Sequence, residues 1–228
     1  MINNNLITIG NSVWTNYNLN VKHFNNDDPI REVFSVEEIL YCEENKISCF
    51  CYYQFDNKNA DFGLFYNWYA VTDPRGLAPK GFRVSTVDDA EQMYHNLKKL
   101  NKRQYDDQTL ESDILFNSQG FQPNAAGYLS TEEGLDSDFD DIQKRAWYWT
   151  SSKFIEGDDQ FAPVFHFFAS DLESDLFDAD LINFSLNDIS GETVGSLLSV
   201  RCVQEPIIEN SKSVSDLMDE FLMSLKTI

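Results

Sequence analysis

Thr86-Val87-Asp88-Asp89-Ala90-Glu91-Gln92-Met93-Tyr94-His95-Asn96-Leu97-Lys98-Lys99-Leu100 is the stretch that decides the class of fold. Thr86 followed three residues later by Asp89 reads as a capping box, with Asp in place of the longer Glu. Ala90, Met93, Tyr94, Leu97 and Leu100 then recur at helical spacing, which gives this helix one apolar face to lay on a sheet. Working outward toward the N-terminus, Ser35-Val36-Glu37-Glu38 is a second capping box, and it predicts a helix from about Val36 to Glu44. Before it, Ile7 to Gly10 and Val13-Trp14 read as short strand, and Asn16 to Asn26 as a polar loop. Between the two helices, Ser48 to Phe55 and Phe62 to Val71 are aromatic runs that read as core strands or core-lining loops. Asp73-Pro74-Arg75-Gly76 is turn chemistry. Beyond the second helix, Asn101 to Gly134 shows no clean period. Strand character returns at Ala146 to Ser151, Phe161 to Ala169, Leu181 to Leu186 and Leu197 to Val203. Strands and helices in separate runs, rather than in alternation, argue for an α+β fold.

The whole chain has 228 residues, 42% of them apolar and 14% aromatic, enough for one full core and a short appendage. A net charge of −21 repels phosphate backbones and anionic lipid, so neither nucleic acid nor a membrane surface is an expected partner. No stretch approaches the roughly 20 apolar residues that cross a bilayer. Met1 to Gly10 lacks the basic start and apolar centre of a signal peptide, which gives the expectation of a cytoplasmic protein. If the sequence is a mature fragment, an exported or cell-surface protein is the alternative. Cys42, Cys49, Cys51 and Cys202 are too few for a disulfide scaffold and include no Cys-x-x-Cys pair. Cys49 and Cys51 flank Phe50 in a strand and share a face, a poor geometry for bonding each other. Reduced, buried thiols are expected; a Cys51–Cys202 bridge is the alternative in an exported protein.

Six segments in order carry a resemblance to a known family. They are Ile9-Gly10-Asn11-Ser12-Val13-Trp14 with Asn18-Leu19-Asn20-Val21; Cys51-Tyr52-Tyr53; Tyr66-Asn67-Trp68-Tyr69-Ala70-Val71; Gly76-Leu77-Ala78-Pro79-Lys80-Gly81-Phe82-Arg83-Val84-Ser85-Thr86; Trp147-Tyr148-Trp149-Thr150-Ser151-Ser152; and Ser199-Val200-Arg201-Cys202-Val203. Over roughly residues 7 to 204 the chain resembles the Fibrobacter succinogenes major paralogous domain family. The resemblance implies a C-type-lectin-like scaffold in which a long irregular region presents the ligand contacts. The expected architecture is therefore one α+β domain over 1–206, with two helices, a small mixed or antiparallel sheet and that irregular region. A C-terminal helix over 207–228 follows it. The signature aromatics also have a plain physical role in packing strand ends, so the signature identifies a scaffold rather than a site.

The chemistry-bearing patterns are few. Asp136, Asp138 and Asp140, with Asp141, imitate the start of a calcium loop. An EF-hand fails, because Asp141 stands where the turn glycine belongs and Trp147 where the bidentate Glu belongs. The Glu-Pro-Asn and Trp-Asn-Asp calcium ligands of sugar-binding C-type lectins are absent from the sequence. Asp171, Glu173 and Asp175 form a second acidic run, suited to gripping a basic partner or to solvation alone. His23, His95 and His166 have no nucleophile at a recognisable spacing, and no phosphate loop or hydrolase elbow occurs. Formylglycine-generating enzymes share a lectin-like fold and an Arg-Cys block resembling Arg201-Cys202. Their second cysteine falls at Leu197 here, so that copper chemistry cannot be assembled. No catalysis, metal or cofactor is expected.

The leading expectation is a binding module for a protein or glycan, using the irregular region around 136–195, with Asp136, Asp138, Asp140, Asp171, Glu173 and Asp175 as candidate contacts. The alternative is an acidic inhibitor or nucleic-acid mimic that occupies a basic surface. Val214, Leu217, Met218, Phe221, Leu222 and Leu225 form one helical stripe, expected to dock on its own domain or on a partner.

Overall fold

The computed structural model describes residues 5–104, 124–153, 161–168 and 191–206. Its elements in order are β1 (Leu6–Ile9), β2 (Ser12–Thr15), β3 (Arg31–Glu32), α1 (Val36–Glu44), β4 (Cys49–Cys51), β5 (Phe65–Tyr66), α2 (Trp68–Val71), β6 (Phe82–Val84) and α3 (Val87–Gln104), followed by β7 (Tyr128–Leu129), β8 (Phe139–Asp140), β9 (Arg145–Trp149), β10 (Phe161–Phe168), β11 (Gly191–Thr193) and β12 (Cys202–Gln204). The class is α+β, as the sequence order predicts. Its strands are distributed over several small sheets rather than one.

The first sheet runs β1-β2-β12-β6. β12 lies antiparallel between β2, through Val203 opposite Trp14, and β6, through Cys202 opposite Val84, so both ends of the domain meet in one sheet. The second, β11-β10-β9, is antiparallel throughout, with His166 opposite Trp147 and Ala162 opposite Glu192. β3-β4-β5 and β7-β8 are shorter. The segment Leu197 to Ser199, predicted as strand, instead makes single bridges. Leu197 meets Leu129, Leu198 meets Tyr66 and Ser199 meets Tyr148, so one extended stretch ties three sheets together.

Alternation along the strands sorts the core. On β9 and β10, Trp147, Trp149, Ala162 and Val164 face one apolar cluster, and Ala146, Tyr148 and Phe165 face another built with Trp14, Ala90 and Met93. Both faces of this sheet are therefore covered, which explains why Trp147-Tyr148-Trp149 shows no polar alternation. On β4, Cys49 and Cys51 enter a third cluster with Ile39 and Cys42, while Phe50 enters the first. The shared face expected for the two cysteines is thus present. All four cysteines are buried and free; Cys51 and Cys202 belong to different clusters, so the alternative bridge between them is not formed.

Both predicted helix starts are found, with one change of partner. In α1 the Ser35 hydroxyl accepts from the Glu38 amide at 3.4 Å. The Glu38 carboxylate reaches past Ser35 to accept from the Phe34 amide at 2.7 Å. In α3 the box closes fully: Thr86 Oγ1 accepts from the Asp89 amide at 3.2 Å, and Asp89 Oδ2 accepts from the Thr86 amide at 2.7 Å. Asp89 also holds the Arg83 guanidinium through both oxygens, with Nη2 to Oδ1 at 2.8 Å. Burial pushes the Asp89 carboxyl up, but Arg83 and Thr86 outweigh it and hold the pKa below the ordinary carboxylate value. Asp89→Ala is expected to cost about 2 kcal/mol at neutral pH, from the lost cap and an Arg83 left without its partner. The carboxylate's contribution is present above its unfolded pKa and is lost as pH falls through the lower folded value. The gap between wild type and variant therefore closes in acid, and urea titrations at neutral and acidic pH measure it.

Several short elements depart from expectation. Trp68–Val71, read as strand or loop, is one turn of α-helix, an addition to the two expected helices among the described residues. β3, β7, β8 and β11 are short strands that the sequence does not announce. The predicted strand Leu181 to Leu186 and the C-terminal helix over 207–228 lie outside the described residues.

Candidate functional site

The described surface gathers its most unusual chemistry beside Tyr128, where four segments meet. Gly127 makes that meeting possible. Its φ is +67°, and a Cβ there would lie 2.0 Å from the backbone oxygen of Asp140, so only glycine lets β8 approach β7 this closely. Tyr128 then pairs with Asp140 across the two strands.

The Tyr128 ring lies against Trp147 of β9, with centroids 4.7 Å apart, and Trp147 lies against His166 of β10 at 4.2 Å. The three rings form a tilted column, Tyr128 half-buried at its outer end and Trp147 and His166 buried. The Trp147 indole N–H donates to Asp141 Oδ2 at 2.9 Å, which fixes the ring's orientation. Asp141, at φ +58°, opens the turn into β9 and also pairs with Arg145 at 3.3 Å. The Arg145 guanidinium lies 5.8 Å from the Trp147 ring centre.

Four carboxylates act on the hydroxyl at the outer end of the column. Burial, then Glu192, Asp141, Asp140 and Glu132, push the Tyr128 hydroxyl up to about 12. Glu192 comes from β11, and the Thr131 and Thr193 hydroxyls, 2.7 Å apart, hold the chain after β7 against that strand. Burial, followed by the Glu132 charge, raises the Glu192 carboxyl to about 7; Asp141 adds to this and the Ser130 hydroxyl opposes it. Among the described residues, Glu192 Oε2 is a buried atom with no hydrogen-bond partner. His166 moves the other way: burial and the nearby Arg145 lower it to about 4, so its imidazole is neutral at physiological pH.

The residues singled out from the sequence are only partly brought together here. Asp136, Asp138 and Asp140 are exposed. Asp138 Oδ1 accepts from the Phe139 amide and Asp140 Oδ1 from the Asp141 amide, each at 2.7 Å, so these side chains cap their own turns rather than converging. Of the three, only Asp140 stands among the carboxylates around Tyr128. No group of residues suited to holding a metal ion occurs among the described residues. Asp171, Glu173 and Asp175 lie outside those residues, as do Val214, Leu217, Met218, Phe221, Leu222 and Leu225. Glu192 and Glu132 escape a reading of the sequence because neither sits in a patterned run. Tyr128 carries a signal only in its glycine-aromatic setting, Ala126-Gly127-Tyr128.

The signature positions serve the scaffold. Arg201 is buried, and its Nε donates to Asn18 Oδ1 at 3.0 Å, its Nη1 to the Thr15 carbonyl at 3.0 Å and its Nη2 to the Tyr148 hydroxyl at 3.3 Å. Cys202 beside it is a protonated thiol, since burial pushes it up to about 12. Leu197 is buried where a second cysteine would be required. No helix among the described residues is long and apolar enough to cross a membrane.

No curated protein and no solved structure matches the chain. A family model does, over residues 7–204, from the hairpin β1-β2 to the last residue of β12. That match takes in Tyr128, Trp147, His166 and Glu192 together with the buried arginine and the sheet that joins the domain's ends. The chain belongs to the Fibrobacter succinogenes major domain family.

Proposed function

We propose that the protein is a non-catalytic recognition module on a C-type-lectin-like scaffold, acting through the Tyr128 end of the β7-β9-β10-β11 surface. One observation carries this reading: an aromatic column whose outer ring is half-buried and edged by carboxylates from separate segments. Aromatic faces with polar groups at their margin suit ligand contact, because they offer large rigid area with directional bonds at the edge. A protein or glycan ligand fits such a margin.

The absence of catalysis is part of the proposal. His166 is held neutral and stacked, and the thiol of Cys202 is buried and raised, so the described histidine and thiol nearest the signature are poor bases and nucleophiles. The reduced state of the buried thiols accords with a cytoplasmic protein, which we propose as its location.

The test presents purified chain and its Tyr128→Ala variant to glycan arrays and to lysate of the native host. The expected result is capture of a glycan or protein, lost at least about tenfold in the variant. Turnover of a defined substrate, or capture indifferent to Tyr128, would sink the reading.

The net charge of −21 favours one alternative, an acidic protein occupying a basic groove. Salt separates the two: mimicry loses affinity steeply as ionic strength rises, whereas contact centred on the aromatic column loses little.

A further inference from the structure

We propose that the cavity between the β1-β2 turn and α3 binds a neutral sugar of disaccharide size through the side chains of Asn11, Gln92, His95 and Asn96. The site stands apart from the recognition surface above, because Tyr128 and the carboxylates that act on it do not line this cavity.

The backbone forms the cavity in advance of any ligand. Ile9 pairs with Ser12, so Gly10-Asn11 is a two-residue hairpin turn, which fixes where the Asn11 side chain is presented. Gly10 is left-handed at φ +62°, and a Cβ on it would lie 2.1 Å from Asn96 Nδ2. Only glycine lets the turn and the Asn96 carboxamide come this close. Behind them, Ile7, Ile9 and Trp14 of the hairpin pack with Ala90 and Met93 of α3 in one apolar cluster, so turn and helix are held in a fixed relation. With Ala90 and Met93 turned inward, Gln92, His95 and Asn96 share the neighbouring flank of the helix at i, i+3 and i+4. Polar groups carried on a packed helix and a two-residue turn need little reordering when a ligand arrives.

The lining decides the class of ligand. The cavity measures about 550 Å³, within the range of small-molecule sites. Three carboxamides and an imidazole line it, with no Asp, Glu, Lys or Arg among them. A carboxamide sets a donor and an acceptor side by side, which matches a pair of neighbouring sugar hydroxyls, each of them both donor and acceptor. A phosphate or carboxylate would meet no Lys or Arg in the lining and would be repelled by the net charge of −21. A cation would meet no carboxylate there. A purely apolar ligand would take water from three amides and return no hydrogen bond. The exposed His95 ring, 5.7 Å from the half-buried ring of Tyr94, adds a flat face for the C–H side of the sugar.

The experiment titrates the isotope-labelled full chain with cellobiose, maltose, lactose and N,N′-diacetylchitobiose in turn. The readout is the side-chain amide resonances of Asn11, Gln92 and Asn96, each assigned by its loss in the alanine variant. At least one of these sugars is expected to shift the three together and saturably, with a Kd in the millimolar range. Asn11→Ala and Gln92→Ala, both at exposed positions, are each expected to weaken that sugar about fivefold while the thermal midpoint stays in place. The uronic-acid counterpart of the same sugar, which carries one carboxylate, is expected to bind about fivefold more weakly, and Tyr128→Ala to leave the affinity unchanged. No saturating shift with any of the four sugars at about 50 mM, an affinity unaltered in both alanine variants, or equal binding of the uronic acid would overturn the proposal. Binding lost in Tyr128→Ala and kept in Gln92→Ala would put the sugar at the Tyr128 margin, so that the recognition reading stands and this site falls. Binding lost in Gln92→Ala and kept in Tyr128→Ala, beside array and lysate capture indifferent to Tyr128, would leave this site standing without that reading.

Discussion

Arg201→Met is expected to lower the free energy of unfolding by about 4 kcal/mol. Methionine replaces most of the apolar stem, so the deficit comes from the head group. Asn18 Oδ1, the Thr15 carbonyl and the Tyr148 hydroxyl would all lose a charged donor in a place that water does not reach. Each abandoned acceptor costs about 1–3 kcal/mol, and hydrogen bonds to an ionised group lie toward the upper part of that range. The guanidinium also lies 5.3 Å from the Tyr148 ring centre, a contact methionine's sulfur replaces only in part. The consequences spread because of where the partners sit. Thr15 ends β2, Tyr148 is in β9, and Asn18 also donates to the Phe62 carbonyl at 2.9 Å and to Ser199 Oγ at 3.0 Å. One side chain therefore couples the hairpin sheet to the β9 sheet and to the tie segment at Ser199. Arg201→Lys should recover less than half of the loss, since an ammonium on a shorter stem cannot span three acceptors in one plane. Urea titration of the three proteins measures this directly, with the midpoint moving and the slope unchanged. A change below about 1 kcal/mol for Arg201→Met would mean that these bonds are replaced by water.

How much of this is legible in the sequence depends on whether the cause is local. The starts of α1 and α3 are readable because a cap is chemistry within three residues, and Thr86 with Asp89 behaves in the structure as it reads in the sequence. Strands of two or three residues, such as β3, β5 and β11, are too short to show alternation, and their pairing partners lie far away in the chain. The Phe62 to Val71 run misleads for a related reason: aromatic composition favours sheet, and one helical turn shows no period of its own. The site follows the same rule. Spacing draws attention to Asp136, Asp138 and Asp140, which share a run, whereas Tyr128 is met by Glu132, by Asp140 with Asp141, and by Glu192, from separate places in the fold. Glu192 in particular has no sequence signal; its interest comes from burial and from the distant Glu132 and Asp141, which only the tertiary structure brings beside it.

Asn67→Leu is expected to cost about 3–5 kcal/mol, because Asn67 is where a local cap and a long-range cross-link coincide. Its Oδ1 accepts from the Ala70 amide at 3.1 Å, starting α2, and also from the Cys49 amide at 3.0 Å on β4. Its Nδ2 donates to the Ile47 carbonyl at 2.8 Å. Leucine has nearly the same volume but would strand the Cys49 amide and the Ile47 carbonyl, while the Ala70 amide would keep the Asn67 backbone carbonyl at 3.1 Å. The lost cap accounts for about 1 kcal/mol and the severed ties to β4 for the rest. The damage should reach the proposed binding margin. α2 carries Trp68, whose indole donates to the Thr150 carbonyl at 3.2 Å and whose amide donates to the Val194 carbonyl at 3.1 Å, two residues from Glu192. Asn67→Asp sorts the contributions. A carboxylate retains both acceptor bonds but sets a negative oxygen against the Ile47 carbonyl, so at neutral pH the variant should remain well below wild type. That repulsion and the burial raise the new carboxyl's folded pKa above its unfolded value, so the protonated form is the stable one. Its stability relative to wild type should therefore improve as pH falls toward the unfolded value of about 4, where the acid O–H can donate to Ile47. Paired urea titrations of wild type, Asn67→Leu and Asn67→Asp at about pH 4.5 and pH 7.5 test this. An Asn67→Asp chain as stable as wild type at the higher pH would show that the Ile47 bond carries no weight, leaving the cap and the Cys49 amide as the whole of Asn67's contribution.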